Sequence, residues 1–300
     1  MTTSASAVKT KPEDLGRVTF LDGQGELPML EITTPWSTAE IYLQGAHVTQ
    51  FKKKDESPLL FLSQCSRFVE GQPIRGGIPV IFPWFGPREG LGQHGYARLK
   101  AWDLKELTQA PDGSVSVRLG LPGCPEASAY PAYTADYIVT VNQSLTLQLI
   151  ITNQSRDAAF SFEDCLHTYF DVGDVTAIAI SGLKGLSYID TVAGFVEKTE
   201  TSDTLRIAGE VDRIYPNSTG TVAIFDPRLS RKILVEKQGS ASTVVWNPWI
   251  AKARRMSDFG DEEYERMVCV ESGNVASNGI SLPPGGSSNM TVKLSSVTLK

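Results

Sequence analysis

The sequence predicts an all-β protein, built as a large antiparallel β-sandwich. Three observations favour this class: apolar and polar residues alternate with a period of two in many short segments, turn-forming residues separate those segments, and helical periodicity is almost absent. The 300 residues are 41% hydrophobic and 21% charged, which is ample for a large core. Because neither a linker-like composition nor an internal repeat interrupts the run, we expect one domain over residues 17–300, after a disordered tail over residues 1–16.

The alternating segments follow one another along the chain. They predict strands over residues 29–33, 39–44, 47–51, 115–119, 137–141, 145–152, 159–163, 177–181, 221–225, 232–235, 243–246, 267–271 and 290–294. Residues 142–144 form a short polar link between two of them, which is typical of a β-hairpin. One short helix is predicted over residues 257–264, because Ser257 is suited to cap it and acidic residues follow in its first turns.

The charge balance excludes several kinds of partner. With 34 acidic and 28 basic residues, the chain has a net charge of −6 and no chain-wide basic field for nucleic acid or an anionic membrane. The amino-terminal residues lack the apolar core of a secretory signal, and no stretch of about eighteen apolar residues predicts a membrane span. Four widely spaced cysteines without a Cys-x-x-Cys pair suit a reducing compartment, so we expect a cytoplasmic protein.

Signatures of cofactor and metal sites are missing from the sequence. There is no glycine-rich dinucleotide or Walker motif and no Gly-x-Ser-x-Gly elbow, so no cofactor is expected. The three histidines are His47, His94 and His167, and none has a second histidine or a cysteine at ligand spacing. We therefore expect no metal site.

An unusual Gly- and Pro-rich segment over residues 71–87 leads into residues 92–98. Arg75 is followed by two glycines, which would let backbone N–H groups and a guanidinium approach one anion together. Arg98 is placed to supply a second guanidinium. The alternative, that both arginines pair with carboxylates at the surface, stays open on spacing alone.

A second candidate site lies in residues 160–170. Continued alternation places Glu163, Cys165 and His167 on one face, with the histidine at the end of the predicted strand, where side chains can enter a cleft. A lone histidine is also common as a structural residue.

The third candidate is Glu271, at the end of the apolar strand predicted over residues 267–271. A carboxylate there would be partly desolvated, which raises its proton affinity and suits it to acid–base chemistry. Capping of the following turn is the competing interpretation.

Six segments together resemble a known family. They are 75–85 (RGGIPVIFPWF), 93–98 (QHGYAR), 167–170 (HTYF), 212–215 (DRIY), 246–249 (WNPW) and 271–274 (ESGN). Their order along residues 28–299 resembles the glucose-6-phosphate 1-epimerase branch of the aldose 1-epimerase family. The resemblance implies a galactose-mutarotase-like β-sandwich and a cofactor-free, metal-free isomerase that interconverts the α and β anomers of hexose 6-phosphates. It implies a sugar phosphate as the small-molecule partner, and we expect a monomer.

The resemblance also implies roles for individual residues. His167 matches the general acid and Glu271 the general base of ring opening, which implies that they work as imidazolium and carboxylate. The substrate-binding positions are matched by Arg75, Gln93, Arg98 and Asp212, the two arginines being the phosphate ligands, and by His94 as a second active-site histidine. Trp246 and Trp249 could stack on the sugar or pack in the core.

Two alternatives to this function remain open. One is a non-catalytic β-sandwich that binds a carbohydrate or a sugar phosphate. The other is an aldose 1-epimerase that acts on unphosphorylated sugars.

Overall fold

The computed structural model describes residues 16–299. The expected disordered tail therefore lies outside the described residues except for Gly16, which is buried and accepts a hydrogen bond from the Gln109 side chain at 2.7 Å. Strands are the main regular structure of the described residues, and the hydrogen-bonded pairs of named strands all run antiparallel.

The strands are short and follow one another closely. The first thirteen are β1 (Arg17–Asp22), β2 (Pro28–Thr33), β3 (Ser37–Tyr42), β4 (His47–Lys53), β5 (Val80–Ile81), β6 (Pro87–Arg88), β7 (Gly92–Gln93), β8 (Asp103–Gln109), β9 (Val115–Gly120), β10 (Tyr133–Val141), β11 (Leu145–Asn153), β12 (Phe160–Phe162) and β13 (Asp164–Leu166). The remaining twelve are β14 (Tyr169–Asp171), β15 (Ala179–Ser181), β16 (Ser187–Asp190), β17 (Val196–Thr199), β18 (Thr204–Leu205), β19 (Val211–Tyr215), β20 (Val222–Asp226), β21 (Arg231–Gln238), β22 (Ser242–Asn247), β23 (Met267–Asn274), β24 (Ile280–Leu282) and β25 (Ser287–Thr298).

The helical segments of the described residues are all short. They are the α-helix α1 (Trp249–Ala253) and 3₁₀ helices at Gln24–Glu26, Ala97–Leu99, Pro125–Ala129, Glu263–Arg266 and Ala276–Asn278. None of these helices has the length and apolar character needed to cross a bilayer.

The helix predicted over residues 257–264 was wrong. Turns occupy most of this segment, because its polar side chains bind elsewhere in the fold. The Asp258 carboxylate accepts hydrogen bonds from Arg75, and the Glu263 carboxylate accepts them from Ser63, the Gln64 N–H and the Gly260 N–H. The α-helix that does form begins just after Pro248, eight residues before the predicted start.

Residues 16–299 contain five sheets: two large ones, a four-stranded one, and the two-stranded pairs β12–β24 and β6–β7. The nine-stranded sheet has the order β18-β15-β20-β21-β25-β11-β10-β9-β8, and the second large sheet has the order β17-β16-β19-β22-β23-β13-β5, with β14 also paired to β23. Strands β1 to β4 form a four-stranded meander. The largest apolar cluster contains side chains from both large sheets and from the four-stranded sheet, as a β-sandwich requires.

The predicted hairpin is confirmed by the pairing of β10 with β11. Val141 lies opposite Leu145, and residues along β11 alternate between buried and partly exposed. Alternation of this kind lets one face of the nine-stranded sheet pack on the core while the other meets solvent.

Strand β23 differs from this pattern, because all eight of its residues are buried. It lies between β22 on one side and β13 and β14 on the other, near the middle of the second large sheet. Glu271 therefore lies inside the strand, which continues to Asn274, and not at its end as the sequence suggested. The continuation follows from Asn274, whose backbone N–H and side chain both donate to Asp164 of β13.

Candidate active site

A cavity of about 640 Å³ opens over the middle of the second large sheet. Strands β19, β22 and β23 contribute its floor, and loops after β5, β13 and β16 contribute its walls. The lining residues are Arg75, Phe85, Gly86, Pro87, Gln93, His94, Glu163, His167, Tyr169, Thr191, Phe195, Asp212, Ile214, Val244, Trp246, Lys252, Met256, Glu271 and Ala276. Six of the seven residues predicted for the site are among them, and Arg98 is not.

His167 and Glu271 meet at the floor of this cavity. Glu271 lies opposite Val244 of β22. His167 follows β13, and its backbone N–H donates to the Pro79 carbonyl. The separation between His167 Nε2 and Glu271 Oε1 is 3.4 Å, with 12% of the histidine side chain and 1% of the glutamate side chain exposed. The Cys165 thiol donates to the other carboxylate oxygen at 3.5 Å.

Burial governs the protonation of this pair. It raises the pKa of Glu271 well above 4.5, with a further contribution from the charge of Asp212. It lowers the pKa of His167 well below 6.5, and the charges of His94, Arg75 and Arg98 lower it further. Burial therefore favours the one-proton state in which both groups are neutral over the separated imidazolium and carboxylate that the resemblance implies.

His94 presents a neutral imidazole beside this pair. Its Nδ1 accepts a hydrogen bond from the Gly86 N–H at 3.2 Å, so the ring proton of the neutral form is on Nε2. Burial and the charges of Arg98 and Arg75 lower the pKa of His94 to about 3. The ring centroids of His94 and His167 are 5.7 Å apart. His94 is thus a hydrogen-bond donor next to the proton-transfer groups.

Arg75 is held in place by groups of the protein itself. Its Nε and Nη2 donate to the Asp258 carboxylate at 3.2 and 3.1 Å, and Nη1 donates to the Tyr169 hydroxyl at 3.0 Å. The carboxylate partner considered in the sequence analysis is therefore present for this arginine. The Gly77 N–H donates to the Phe61 carbonyl, so the second glycine of the motif serves chain packing and does not face an anion.

Arg98 lies next to the cavity with an incomplete set of partners. Its Nη2 donates to the Gln93 carbonyl at 2.8 Å, while its buried Nε has no hydrogen-bond partner among the described residues. Burial and the charge of Arg75 lower the pKa of Arg98 to about 10. Within residues 16–299, no carboxylate forms an ion pair with Arg98. Two guanidiniums are therefore close to each other, and only one of them has a carboxylate ligand.

Asp212 and Lys252 both line the cavity and lie close to each other. The Lys252 Nζ lies 3.7 Å from the Asp212 carboxylate and 3.2 Å from that of Glu210. Burial raises the pKa of Asp212, and the charge of Lys252 opposes this effect. The sequence analysis missed Lys252, because a single lysine in a short helix carries no pattern that distinguishes it from a surface lysine.

Aromatic side chains shape the floor around His167. The Tyr169 ring stacks on His167 with centroids 4.7 Å apart and an interplanar angle of 11°. Trp246 meets both rings edge-on, and the Lys252 Nζ lies 5.7 Å from its ring centroid. Trp246 thus belongs to the cavity as well as to an apolar cluster, whereas Trp249 packs on Tyr264 and does not line the cavity.

Glu163 joins two loops of the cavity wall. Its carboxylate accepts hydrogen bonds from the Phe85 N–H at 3.0 Å and from the Ala276 N–H at 2.7 Å. This use of both oxygens makes Glu163 a structural carboxylate of the site.

A different set of side chains, His167, Cys269 and Glu271, offers one donor atom each within 4.8 Å of one another and is the set suited to a metal ion.

Comparison with known proteins identifies the family. The family model described as aldose 1-epimerase matches residues 28–295. The chain belongs to the aldose 1-epimerase family. The resemblance inferred from the six sequence segments is thereby confirmed, and the fold class with it.

Relatives of this epimerase family member have been named for one substrate. A protein from Cenchrus ciliaris, provisionally named a glucose-6-phosphate 1-epimerase, is 35% identical over 268 residues, covering 86% of this chain and 81% of its own. An Escherichia coli K12 protein with the same provisional name is 34% identical over 249 residues, covering 82% and 83%.

Solved structures agree with the fold. The crystal structure of YeaD from Salmonella typhimurium, provisionally described as a mutarotase, superposes with a TM-score of 0.86 at 29% identity, covering 94% of both chains. A galactose mutarotase-like protein from Clostridium acetobutylicum has a TM-score of 0.74 at 14% identity, covering 96% of this chain and all of its own. The latter similarity concerns the fold alone.

Proposed function

We propose that this epimerase is a hexose-6-phosphate mutarotase, which interconverts the α and β anomers of glucose 6-phosphate and related hexose 6-phosphates. The observation that carries the proposal is the position of two buried proton-transfer groups, 3.4 Å apart, at the floor of a cavity with an incompletely ligated guanidinium beside it. The names of the relatives support the same substrate class.

Anomers exchange when the pyranose ring opens, the aldehyde end rotates about the C1–C2 bond, and the ring closes on the other carbonyl face. Opening needs a base for the O1 proton and an acid for the ring oxygen, and each such group contributes about 10²–10⁴-fold. We assign Glu271 as the base and His167 as the acid. No step of this reaction needs a cofactor.

The shared proton suits this division of work. Transfer of one proton across the 3.4 Å contact converts the neutral pair into imidazolium and carboxylate without changing the number of bound protons. The pair therefore always contains one acid and one base. Because ring closure reverses the two transfers, the pair returns to its starting state after each turnover.

The phosphate is assigned to the side of the cavity formed by Arg75 and Arg98. The Asp258 carboxylate already binds Arg75, whereas Arg98 has no carboxylate ligand of its own within residues 16–299 and lies where the charge of Arg75 opposes its own. A dianionic phosphate would relieve this repulsion and supply acceptors for the free N–H groups. Gln93, His94 and Asp212 are assigned to the sugar hydroxyls, because all three line the same cavity.

Other properties of the molecule are proposed on the same basis. Residues 17–300 are proposed to form one domain, because one apolar cluster contains side chains from β2 through β25. A monomer is proposed as the active unit, because one chain supplies both His167 and Glu271 to the cavity. The four free cysteines support a cytoplasmic location, where thiols stay reduced.

The substrate assignment is tested by polarimetry with freshly dissolved α anomers. We expect the value of kcat/KM for glucose 6-phosphate to exceed that for glucose by at least about tenfold, the effect of one charge-assisted contact. Equal values for the two sugars would identify an aldose 1-epimerase for free sugars. Saturable binding of either sugar without faster mutarotation would identify a carbohydrate-binding protein instead.

A further inference from the structure

Three side chains that can ligate a metal ion lie close together at the floor of the cavity. Cys269 and Glu271 are two residues apart on β23 and point to the same face of the sheet, and His167 follows the neighbouring β13. One donor atom from each lies within 4.8 Å of the other two, and all three residues are buried. The sequence did not reveal this cluster, because the donors come from segments about a hundred residues apart.

The donors are an imidazole nitrogen, a thiol sulfur and a carboxylate oxygen. These are the three ligand types that Zn²⁺ takes from proteins, whereas Mg²⁺ and Ca²⁺ prefer oxygen alone. We propose that His167, Cys269 and Glu271 form a binding site for Zn²⁺ or a similar thiophilic divalent cation, and that the bound ion blocks proton transfer by the His167–Glu271 pair.

The distances are close to those of a tetrahedral site. With metal–ligand bonds of about 2.0–2.3 Å, two donors of a tetrahedral Zn²⁺ ion lie about 3.3–3.7 Å apart. The 3.4 Å between His167 Nε2 and Glu271 Oε1 already falls in this range, and since the three donor atoms of the set lie within 4.8 Å of one another, shifts of about 1 Å would bring them to tetrahedral spacing. The fourth position would face the cavity, which both His167 and Glu271 line.

The negative charges of these ligands also favour binding of a divalent cation. A thiolate and a carboxylate neutralise the two positive charges of the ion, so the buried complex with a neutral imidazole carries no net charge. The positive charges of Arg75 and Arg98 act on His167 and oppose a cation that lacks these anions. The site therefore needs Cys269, and loss of this one thiol should abolish tight binding.

Cobalt binding tests the site without reference to catalysis. Chelator-treated protein is titrated with Co²⁺, and the thiolate-to-cobalt charge-transfer absorption is recorded in the near ultraviolet. We expect saturation at one ion per chain, displacement by Zn²⁺, and no displacement by Mg²⁺. A wild-type protein that gives no thiolate absorption with excess Co²⁺ would overturn the proposal.

Cysteine variants locate the thiolate. Cys269→Ala should lose the absorption and weaken Zn²⁺ binding by at least about 100-fold, since loss of even an outer-shell partner costs about 10–100-fold. Cys165→Ala is the matched control, because this equally buried thiol touches the other oxygen of Glu271. If Cys269→Ala does not fold, Cys269→Ser replaces it, since a hydroxyl cannot give the absorption. Absorption that persists without Cys269, or that requires Cys165, contradicts the assignment.

Inhibition is the second measurement, and it rests on the proposed mutarotase activity. Zn²⁺ should abolish the activity of wild type and of Cys165→Ala, EDTA should restore it, and Cys269→Ala should resist the same Zn²⁺ concentration. Cobalt absorption in a protein without mutarotase activity would support the metal site and refute the proposed function. Full activity with one Zn²⁺ bound at the thiolate would refute the blocking role.

Discussion

At the scale of single residues, the proposed chemistry depends on two ionisable side chains that are almost completely buried. Glu271 is 1% exposed and His167 12% exposed, and His167 Nε2 lies 3.4 Å from Glu271 Oε1. Glu271→Gln and His167→Asn keep shape while removing proton transfer, so each should lower kcat by about 10²-fold or more. Because both groups serve one event, the double variant should lose far less than the product of the two losses.

These rates are measured by polarimetry on variants whose circular dichroism matches wild type. Cys165→Ala serves as a control, because it alters a neighbour of Glu271 without removing an assigned acid or base. Near wild-type turnover in Glu271→Gln or His167→Asn would refute the assigned roles.

The pH dependence follows from the directions of the two pKa shifts. When the pair holds one proton, it gains a second as His167 becomes protonated, with a pKa below 6.5. It loses its one proton as Glu271 ionises, with a pKa above 4.5. Burial disfavours both of these charged states, so the activity should follow a bell whose acid limb lies well below pH 6.5 and whose alkaline limb lies well above pH 4.5. The acid limb then reports the histidine and the alkaline limb the glutamate.

This profile is measured with EDTA present and with free glucose beside glucose 6-phosphate, because the substrate phosphate itself titrates near pH 6. An alkaline limb near pH 6.5 for both sugars would instead mean that free imidazolium is the acid.

The two arginines should respond differently to substitution. Arg98 has no carboxylate partner among residues 16–299, so Arg98→Ala should cost about 1.5–3 kcal/mol in kcat/KM for glucose 6-phosphate, mainly through KM. Arg75→Ala also leaves Asp258 without its partner, so it should lower stability as well. The phosphate keeps its charge during ring opening, and kcat should therefore change less than KM.

The informative quantity is the ratio of kcat/KM for glucose 6-phosphate over that for glucose. Arg88→Ala is the control, because this arginine lies outside the lining and contacts Trp84 and Tyr130. A ratio that Arg98→Ala leaves unchanged would place the phosphate elsewhere.

At the scale of elements, the site depends on the junction between β22, α1 and β23. Asn247 is fully buried there: its Nδ2 donates to the Tyr264 and Met267 carbonyls, each at 2.9 Å, and its Oδ1 accepts from the Trp249 N–H at 2.9 Å. These bonds satisfy backbone groups at the start of α1 and β23, the elements that carry Lys252 and Glu271.

Asn247→Ala should therefore lower the free energy of unfolding by about 3 kcal/mol, since it leaves two buried carbonyls and the partly buried Trp249 N–H unpaired. Urea unfolding measures the effect, with Asn289→Ala as the control, because Asn289 is exposed on β25 and should change stability by less than about 0.5 kcal/mol. An effect as small as that of the control would contradict the role of Asn247.

Elements were predictable where local pattern and tertiary environment agree. The β10–β11 hairpin follows from alternation and a polar link, and it forms with the expected register. The helix over residues 257–264 was predicted from local capping chemistry, yet Asp258 and Glu263 bind Arg75 and Ser63 from distant segments. Such long-range hydrogen bonds cannot be read from a window of ten residues.

At the scale of the whole molecule, the proposed substrate is a dianion, whereas the chain has a net charge of −6. The fold brings together segments that are far apart in sequence: Arg75, Asp212 and Lys252 line one cavity, and the charge of Arg98 acts on His94 and His167 of the same cavity. The residue types of the site could be inferred from the family resemblance. The pairing of Arg75 with Asp258 and Tyr169, and the position of Lys252 in the cavity, could be seen only in the folded structure.

The measurement that tests the central claim most directly is magnetisation transfer between the C1 protons of the two anomers of glucose 6-phosphate. We expect the protein to accelerate the exchange in proportion to its concentration, with EDTA present, and Glu271→Gln to reduce the exchange rate towards that of the buffer. Binding of glucose 6-phosphate by folded wild-type protein, with exchange no faster than in buffer, would contradict the account.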